Sequence, residues 1–449
     1  MSLTKKALSS LFFFFTYFIS YAQVAQLPTP WTEAARQAAV PLSEYPRPQL
    51  ARQNWLCLNG KWDYRGGKNA PDALNPQKVA SFDGVKEKIL VPYCPESFLS
   101  GIQRKQEINM WYRRTFEIPA AWKGKHVIIN FGAVDHDATV FVNGKKVGSH
   151  AGGYDSFSFD ITNALSKGTN TLIVAANDPN DGKTPSGKNG PRGDYTFSSG
   201  IWQTVWIEPV SANYIENIRL LPDVGGKRLK VLVNSSGTGK VTAIALDGKK
   251  VVAEAHSASG SSFYVPIEKP ELWSPDNPFL YDLKLTLYNA NGSVADEVKS
   301  YFGMRDIKLG KLNGVVRPFL NGRFVMQLGL LDQGYWPDGV LTEPTEEALK
   351  FDIQFTKKAG FNLIRKHMKT EPQRFYYWCD KMGLLVWQDM PAIWYQNEDT
   401  TRNRSVYRKE LKAIIDDHYN SPSIITWVPF NENWGAFDVK NITNWVKAI

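Results

Sequence analysis

Cysteine is scarce in this chain, which has three cysteines among 449 residues. Cys57, Cys94 and Cys379 are odd in number and widely spaced, so at most one disulfide can form. They do not show the paired spacing of a zinc site. The pattern excludes a disulfide-stapled scaffold and predicts that the cysteines are small buried apolar residues.

Long hydrophobic runs are also missing. The run Leu11–Ile19 is too short to span a bilayer, and no later run is long enough. It follows Lys5 and Lys6 and precedes Ser20–Ala22, whose small outer residues stand where a signal peptidase reads. We therefore predict a cleaved signal peptide at residues 1–22 and a soluble, periplasmic or secreted protein with no membrane span.

Charge of one sign is not concentrated anywhere. The net charge is +9, but the basic residues are scattered, which argues against a nucleic-acid partner.

What the chain does have is length and aromatic residues. Its 449 residues predict two or three domains, and it contains 15 Trp. Most of these indoles are expected to pack in domain cores, although tryptophan also offers a flat apolar surface to sugar rings.

Two β-rich segments occupy residues 46–209 and 211–308. Short alternating runs separated by Gly, Asn, Asp and Pro turns predict a jelly-roll sandwich followed by an immunoglobulin-like sandwich. The polar, glycine-rich segment Asp178–Tyr195 is expected to be functional or disordered. The predicted strands are Trp111–Ile118, His126–Gly132, Ala138–Gly144, Thr171–Asp178 and Trp202–Pro209 in the first domain and 217–224, 228–236, 241–246, 262–267 and 281–289 in the second.

Near Gly310 the pattern changes to alternating strands and helices, which indicates parallel β/α units. A complete eight-stranded barrel needs about 250 residues. Residues 311–449 are therefore predicted to hold about the first half of a TIM barrel. The predicted strands are Phe324–Asp332, Phe361–His367, Leu384–Pro391 and Ser423–Val428, and the predicted helices are 344–360, 372–382 and about 402–419.

The stretch SPSIITWVPFNENWG combines a buried strand with a polar end. Ile424–Val428 is an apolar, β-branched run that stops at a proline. Asn431 and Glu432 follow it, at the strand end where barrel enzymes carry catalytic residues. A carboxyl group held against Trp427 and Trp434 is partly desolvated, which favours its protonated form and suits a proton donor. A solvated acid in an ordinary loop is the alternative.

With these motifs the chain resembles glycoside hydrolase family 2, the family of β-galactosidases, β-glucuronidases and β-mannosidases. The resemblance covers nearly all of the predicted mature chain. It implies a galactose-binding-like jelly roll, an immunoglobulin-like sandwich and a TIM barrel of which about the first half is present. The motifs that carry it are Pro46–Tyr64, Trp111–Pro119, Gly200–Val210, Asn321–Gly339 and NSPSIITWVPFNEN.

The resemblance also implies roles for individual residues. Glu432 is the expected general acid/base of a retaining exo-glycosidase, and Asn431 is expected to bind the sugar 2-OH. The family nucleophile, a Glu on a later strand, is expected to lie beyond this chain, so the chain alone is expected to be inactive. An oligo- or polysaccharide substrate is expected, without cofactor or metal ligand, and a homo-oligomer is compatible with the sequence. The other substrate-binding candidates are Asp332, Arg365, His367, Trp387, Asp389 and Trp394.

One departure from the family pattern concerns the second barrel strand. The family has Arg, two small residues and then His-Tyr-Pro, whereas here Lys366 and His367 follow Arg365 and Met368 stands at the usual His position. Arg365, His367 and the lysines at 366 and 369 could hold a carboxylated sugar. The alternative is that several of these charges point to solvent.

Two other hypotheses stay open beside the exported glycosidase. A non-catalytic carbohydrate-binding protein, or an inactive fragment, would keep the sandwich domains without hydrolysis. An adhesive β-sandwich protein would have no use for a strand-end acid such as Glu432.

Overall fold

The computed structural model describes residues 27–76, 79–189, 195–394, 400–432 and 434–449. These residues form two antiparallel sandwich regions, a small antiparallel sheet and a parallel sheet flanked by helices. The predicted signal peptide at residues 1–22 lies outside them. No helix within these ranges is both long and apolar enough to cross a membrane.

The first sandwich consists of a six-stranded and a four-stranded antiparallel sheet with a two-stranded sheet beside them. Its described strands are β1 (Leu56–Cys57), β2 (Gly60–Arg65), β3 (Lys88–Val91), β4 (Asn109–Glu117), β5 (His126–Phe131), β6 (Val134–Asp135), β7 (Asp137–Val142), β8 (Lys145–Ala151), β9 (Phe157–Asp160), β10 (Thr169–Asn177), β11 (Gly200–Ile201) and β12 (Val205–Val210). The strand orders are β3-β2-β4-β10-β7-β8, β1-β12-β5-β9 and β11-β6. One α-helix, α1 (Thr32–Gln37), and 3₁₀ turns at Pro48–Leu50, Ala120–Trp122 and Thr162–Ala164 accompany them.

The alternation of side chains along β10 shows how this domain buries its sheets. Leu172 and Val174 point into the main core between the two large sheets. Ile173 and Ala175 point the other way, into a smaller cluster that includes Trp111. Both faces of this central strand are therefore covered, which explains the unbroken apolar run from Leu172 to Ala176.

The second sandwich packs a three-stranded sheet, in the order β13-β14-β17, with a four-stranded sheet, in the order β16-β15-β18-β19. Its strands are β13 (Ile215–Asp223), β14 (Arg228–Ser235), β15 (Lys240–Asp247), β16 (Lys250–Ala258), β17 (Ser262–Pro266), β18 (Tyr281–Tyr288) and β19 (Val294–Phe302). The sequence analysis misses β16 and β19. Both are edge strands with many polar residues, so their apolar signal is weak.

An antiparallel sheet follows, formed by β20 (Ile307–Leu312), β21 (Val315–Leu320) and β22 (Arg323–Phe324) in that order. It spans the region where the sequence predicts a direct change to strand–helix alternation. The single strand predicted over Phe324–Asp332 is wrong in its first part, because residues 323–324 pair with β21 and the parallel strand begins only at Gly329.

Four strands pair in parallel, as predicted. The elements of this region are β23 (Gly329–Asp332), α2 (Glu346–Lys358), β24 (Leu363–Lys366), α3 (Gln373–Met382), β25 (Leu385–Asp389), α4 (Thr400–His418), β26 (Ile424–Val428) and α5 (Val439–Ala448). The assignment of this region to half of an eight-stranded barrel stays a prediction.

Capping residues set the helix ends. The Thr345 hydroxyl accepts a hydrogen bond from the Ala348 amide at 3.2 Å at the start of α2. Helix α3 begins after Pro372 and ends at Gly383, whose φ of 74° is the left-handed conformation that a glycine C-cap supplies.

The parallel sheet has two different faces. The face toward the helices is apolar and packs Ile364, Val386 and Ile424 against α2 and α3. The opposite face packs its lower layer against Leu320 of β21 and Trp273, through Leu363 and Leu385. Polar residues occur on this second face near the carboxyl ends of the strands, which is where the candidate site lies.

Candidate active site

The strand ends of β24, β25 and β26 bring together Arg365, Asp389 and Asn431. Arg365 donates from Nε to Oδ1 and from Nη2 to Oδ2 of Asp389, both at 2.9 Å. Its Nη2 also donates to Oδ1 of Asn431 at 2.9 Å. The Asp389 side chain is fully buried. Burial raises the pKa of Asp389, and the bonds from Arg365 offset only part of that shift. The Arg365 guanidinium therefore binds the buried Asp389 carboxyl group and, at the same time, holds the side-chain amide of Asn431.

Met368 supports this network from the position where the family has histidine. It is buried and has a φ of 56°, a left-handed conformation that is unfavourable for methionine. Its amide donates to Oδ2 of Asp389 at 3.3 Å, and its sulfur lies 3.5 Å from Nδ2 of Asn431. Contacts with two site residues therefore hold the strained backbone in place.

His367 stands beside the network and is mostly buried. Its Nδ1 lies 3.2 Å from Nε2 of Gln333. Burial lowers the pKa of His367; Arg365 and Lys188 act in the same direction, while Asp389 opposes them. The imidazole is therefore neutral at physiological pH and can exchange hydrogen bonds without carrying charge.

Glu432 follows Asn431 and its side chain is exposed. Its Oε2 accepts a hydrogen bond from Nε1 of Trp434 at 2.8 Å. The Trp434 ring meets Trp394 at a centroid distance of 4.0 Å and an angle of 70°. Trp427 packs instead with the apolar clusters on the helix side. The predicted desolvation of Glu432 between Trp427 and Trp434 is therefore wrong, since the Glu432 side chain is exposed and Trp427 packs elsewhere.

Asp332 does not join this cluster. Its Oδ2 accepts from Nζ of Lys366 at 2.8 Å, and its Oδ1 accepts from the Gly334 amide at 2.7 Å. Burial raises the pKa of Asp332, but the Lys366 ammonium outweighs burial and the pKa lies below its ordinary value. The structure thus turns this predicted substrate-binding group toward an internal ion pair.

The two lysines of this strand end are bound to Glu371. Nζ of Lys366 lies 2.5 Å from Oε1 and Nζ of Lys369 lies 2.9 Å from Oε2 of that carboxylate. Each lysine side chain is only 1% exposed. Neither faces solvent and neither is available to a sugar, so neither sequence-based alternative holds for these two residues.

Trp387 lies on the same face of the sheet, level with Arg365 and one layer below Asp389. It is the register partner of Arg365 and of Thr426. Its Nε1 donates to Oε1 of Gln327 at 2.9 Å, and its ring packs beside Leu385. It forms part of the floor rather than the wall of the site.

A loop of the first sandwich closes one side of the site. The amides of Ser186 and Gly187 donate to the Ala392 carbonyl at 3.1 and 3.2 Å. Trp394 donates from its backbone to the Gly182 carbonyl at 3.2 Å and from Nε1 to the Gly187 carbonyl at 2.5 Å. The glycine-rich composition of Asp178–Tyr195 indicates that this loop is unusual. It does not reveal that the loop packs against Ala392 and Trp394.

Lys188 is the residue of this loop that the sequence analysis misses. Its Nζ lies 5.0 Å from the centroid of the Trp434 ring and 5.9 Å from that of Trp394. The loop thereby adds a positive charge to the aromatic wall next to Glu432.

No cluster of three or more His, Cys, Asp or Glu side chains suited to a metal ion occurs in the described part of the chain. Cys94 and Cys379 are buried free thiols and Cys57 is a half-buried one. These cysteines therefore pack as small apolar residues.

The fold is mostly β and multidomain, with a carboxylate, an amide, a guanidinium and indole rings at parallel strand ends, groups that suit the binding of a sugar ring. Residues 91–208 match the family model for "Glycosyl hydrolases family 2, sugar binding domain". Residues 213–305 match the model for "Glycosyl hydrolases family 2". Both are models of glycoside hydrolase family 2, so the two sandwich domains are assigned to that family.

Similar proteins carry two different activities in their names. A β-galactosidase from Thermoanaerobacter pseudethanolicus is 26% identical over 420 residues, which make up 85% of this chain and 52% of that protein. A β-glucuronidase from Bacteroides fragilis is 28% identical over 426 residues, 85% of this chain and 57% of that protein. The chain thus spans about half the length of these curated relatives.

A solved structure supports the fold. The β-glucuronidase from Ruminococcus gnavus in complex with N1-substituted uronic isofagomine superposes with a TM-score of 0.76 at 22% identity, covering 89% of this chain and 72% of that chain. At this identity the similarity establishes the fold alone.

Proposed function

We propose that the protein is an exported, retaining exo-glycosidase in which Glu432 is the general acid/base. The observation that carries the proposal is the Arg365–Asp389–Asn431 network. It fixes an amide next to Glu432 at the ends of parallel strands, where β/α enzymes position their catalytic groups.

In this mechanism Glu432 protonates the leaving oxygen while a second carboxylate attacks the anomeric carbon. The Trp434 indole orients the Glu432 carboxyl group through Oε2. Arg365 occupies Oδ1 of Asn431 and thereby fixes the Nδ2 group as the donor for the sugar 2-OH, beside the Met368 sulfur. Hydrogen bonds to that hydroxyl strengthen in the transition state.

The nucleophile is proposed to be a Glu on a later strand, beyond residue 449. Retaining hydrolysis needs two carboxyl groups about 5 to 5.5 Å apart. Arg365 holds Asp389 and Lys366 holds Asp332, so neither acid suits this role. The 449-residue chain by itself should then be inactive.

The proposed architecture is a jelly roll at 46–209, an immunoglobulin-like sandwich at 211–308 and the first half of a TIM barrel at 311–449. Parallel pairing supports the barrel. Among the described residues, β23 and β26 each have one neighbour, so each offers an edge to a further strand. Leu331 and Phe355, 57% and 56% exposed, lie near the open edge of β23 and would be covered by closure.

The proposed substrate is an oligo- or polysaccharide glycoside, β-galactoside-like or containing a uronic acid. Relatives named for each activity match the chain to similar extents. Export to the periplasm or medium rests on the signal-peptide pattern at residues 1–22.

The test uses the protein encoded by the complete open reading frame that contains this sequence. It is assayed against aryl galactoside, glucuronide, mannoside and arabinoside and against the matching natural substrates. Glu432→Gln should slow natural substrates by about 10² to 10⁴-fold. Activated aryl glycosides need little protonation and should be affected much less. Glu216→Gln changes an exposed sandwich residue and should leave both rates unaltered.

Three results would contradict the proposal. Equal losses on both substrate types would remove Glu432 from the acid role. Sugar binding without hydrolysis by the wild type would favour the carbohydrate-binding alternative. Rapid turnover by residues 1–449 alone would contradict a nucleophile beyond this chain.

A further inference from the structure

Tyr195 brings a hydroxyl group from the loop of the first sandwich to the ends of the parallel strands. Its ring stacks on that of Tyr335, with a centroid distance of 4.1 Å and an angle of 19°. Its hydroxyl donates a hydrogen bond to Oε1 of Gln333, the residue that follows β23. Tyr195 is 37% exposed, so the stack and the hydrogen bond, rather than burial, fix its position.

The loop that leads to Tyr195 is held from two sides. The hydroxyl of Tyr154, in the first sandwich, donates to the Ser186 carbonyl at 3.2 Å. On the other side, Gly187 has a φ of +57° and lies so close to the strand end that a Cβ atom would overlap the carbonyl oxygen of Met368. The first sandwich therefore has a defined position relative to the strand ends, and Tyr195 reaches the site across this interface.

Gln333 connects the Tyr195 hydroxyl to His367. An amide side chain has an oxygen that accepts and a nitrogen that only donates. Because Oε1 of Gln333 accepts from Tyr195, its Nε2 is the atom that lies 3.2 Å from Nδ1 of His367. Nδ1 must then be the acceptor, so the single proton of the neutral imidazole is on Nε2. Rotation of the amide by 180° would reverse this order and place the proton on Nδ1.

The position of that proton decides what His367 can do at the site. His367 comes two residues after Arg365, so the alternation of a strand directs both side chains to the same face. Burial lowers the pKa of the imidazole, while Asp389 and Asn431 oppose that shift, and the ring is neutral at physiological pH. With its proton on Nε2 the ring donates a hydrogen bond from that atom, whereas the other tautomer would only accept one there.

We infer that Tyr195 and Gln333 are positioning residues that hold His367 in the Nε2–H tautomer, so that His367 presents a hydrogen-bond donor to a sugar hydroxyl. The inference rests on the proposed function. The partner of one ring nitrogen sets the tautomer and the orientation of a histidine. A hydroxyl group of the sandwich domain thereby sets the protonation pattern of a residue at the strand ends.

The first test observes the tautomer directly. Two-bond ¹H–¹⁵N correlation spectra of the histidine-labelled product of the complete open reading frame distinguish protonated from unprotonated ring nitrogens, and His367→Gln identifies the signal. The wild type should show the Nε2–H form at pH 7.5. Tyr195→Phe keeps the ring that stacks on Tyr335 and should give a mixture of both tautomers. Gln333→Glu should give the Nδ1–H form and raise the titration midpoint of His367 by about 1 pH unit or more, since a carboxylate accepts from Nδ1–H and favours the charged ring.

The second test measures activity on the best aryl glycoside of the panel described above. Tyr195→Phe and Gln333→Leu should each lower kcat/KM about 2- to 10-fold, the effect of one misaligned neutral hydrogen bond. Tyr264→Phe is the matched control, because it removes the hydroxyl of a tyrosine that is 46% exposed on the second sandwich. It should change neither the spectrum nor the rate.

Four results would overturn the inference. One is an Nδ1–H or charged His367 in the wild type at pH 7.5. Another is a tautomer that stays unchanged in both Tyr195→Phe and Gln333→Leu. A loss of activity without any change of tautomer would show that Tyr195 only packs against its neighbours. Unaltered activity despite a changed tautomer would show that the donor is not used.

Failure of the proposed function gives a different pattern. A wild type that hydrolyses no glycoside of the panel would refute the glycosidase, but the spectrum would still decide the tautomer. Addition of D-galactose or D-glucuronate then tests the contact with a sugar. A shift of the Nε2–H signal of His367 would support the donor role, and an unchanged signal with both sugars would overturn it.

Discussion

At the scale of single residues, the site depends on backbone positions as much as on functional groups. Met368 and Glu432 both have positive φ values, 56° and 53°, although neither is glycine. Such conformations persist only where the surroundings impose them, and they are common at functional sites. The two residues flank Asn431 in space, so the strain is concentrated around the amide that is proposed to meet the sugar.

Gly187 gives a residue-scale prediction with an internal control. Gly187→Ala should lower the free energy of unfolding by about 1 to 3 kcal/mol, since it adds a clash with Met368 to the cost of a positive φ. Gly168→Ala is the matched control, because Gly168 has a φ of +79° and no atom within 4 Å of its would-be Cβ. Urea denaturation of both variants measures the difference. Equal losses would show that the Met368 contact contributes nothing.

Sequence reasoning recovers Arg365, Asp389, Asn431 and Glu432 as neighbours, because parallel strands end at one edge of a sheet. It fails for Asp332. Alternation along a strand sends Lys366 to the face opposite that of Arg365, and Asp332 is the register partner of Lys366. The choice between the two faces follows from packing against α2 and α3, which local sequence does not reveal.

At the scale of elements, β20–β22 form the platform beneath the parallel sheet. Leu320 is 6% exposed and packs with Trp273, Leu363 and Leu385. The sequence analysis does not predict this platform, because its strands are mostly exposed and look like linker. The four parallel strands are predictable, since each is an apolar run bounded by turn or cap residues, although their ends are shorter than expected.

Leu320→Ala should lower the free energy of unfolding by about 2 to 4 kcal/mol, because it opens a cavity under the sheet. Leu312→Ala, in the neighbouring strand β20, changes a leucine that is 38% exposed and should cost less than about 1 kcal/mol. Chemical denaturation checks both. Similar losses in the two variants would contradict the platform role of β20–β22.

At the scale of the whole molecule, Asp380 joins three parts of the fold. Its Oδ1 accepts from the Ser423 amide before β26, and its Oδ2 accepts from the Tyr301 hydroxyl of the second sandwich, both at 2.8 Å. Its own backbone carbonyl accepts from Nε1 of Trp273 at 2.8 Å. Burial raises the pKa of Asp380 to about 7, although its hydrogen bonds and Arg305 oppose that shift.

The stability of the protein should therefore depend on pH through Asp380. The folded state holds this proton more tightly than the unfolded state, whose carboxyl has a pKa near 3.8. The contribution of Asp380 to the free energy of unfolding is fully present below about pH 4 and is lost as the pH rises toward 7. Its size is on the order of a few kcal/mol.

Asp380→Asn keeps one acceptor for Ser423 and removes the titration. The fall in stability between pH 4.5 and 8, measured by urea denaturation, should be smaller in this variant than in the wild type. Other buried acids, such as Glu96 with a pKa of about 8, titrate in both proteins and cancel in the comparison. Identical pH dependences would exclude Asp380 as a source of the effect.

The docking of Gly187 against Met368 has a consequence for how such proteins diversify. A gene that exchanged only its first sandwich with a relative would import a foreign loop against an unchanged strand end. The chimaera would fold each domain and still misplace the rim of the site. An exchange of the first sandwich should therefore preserve the site only when the segment around Ala392 and Met368 is exchanged together with the loop.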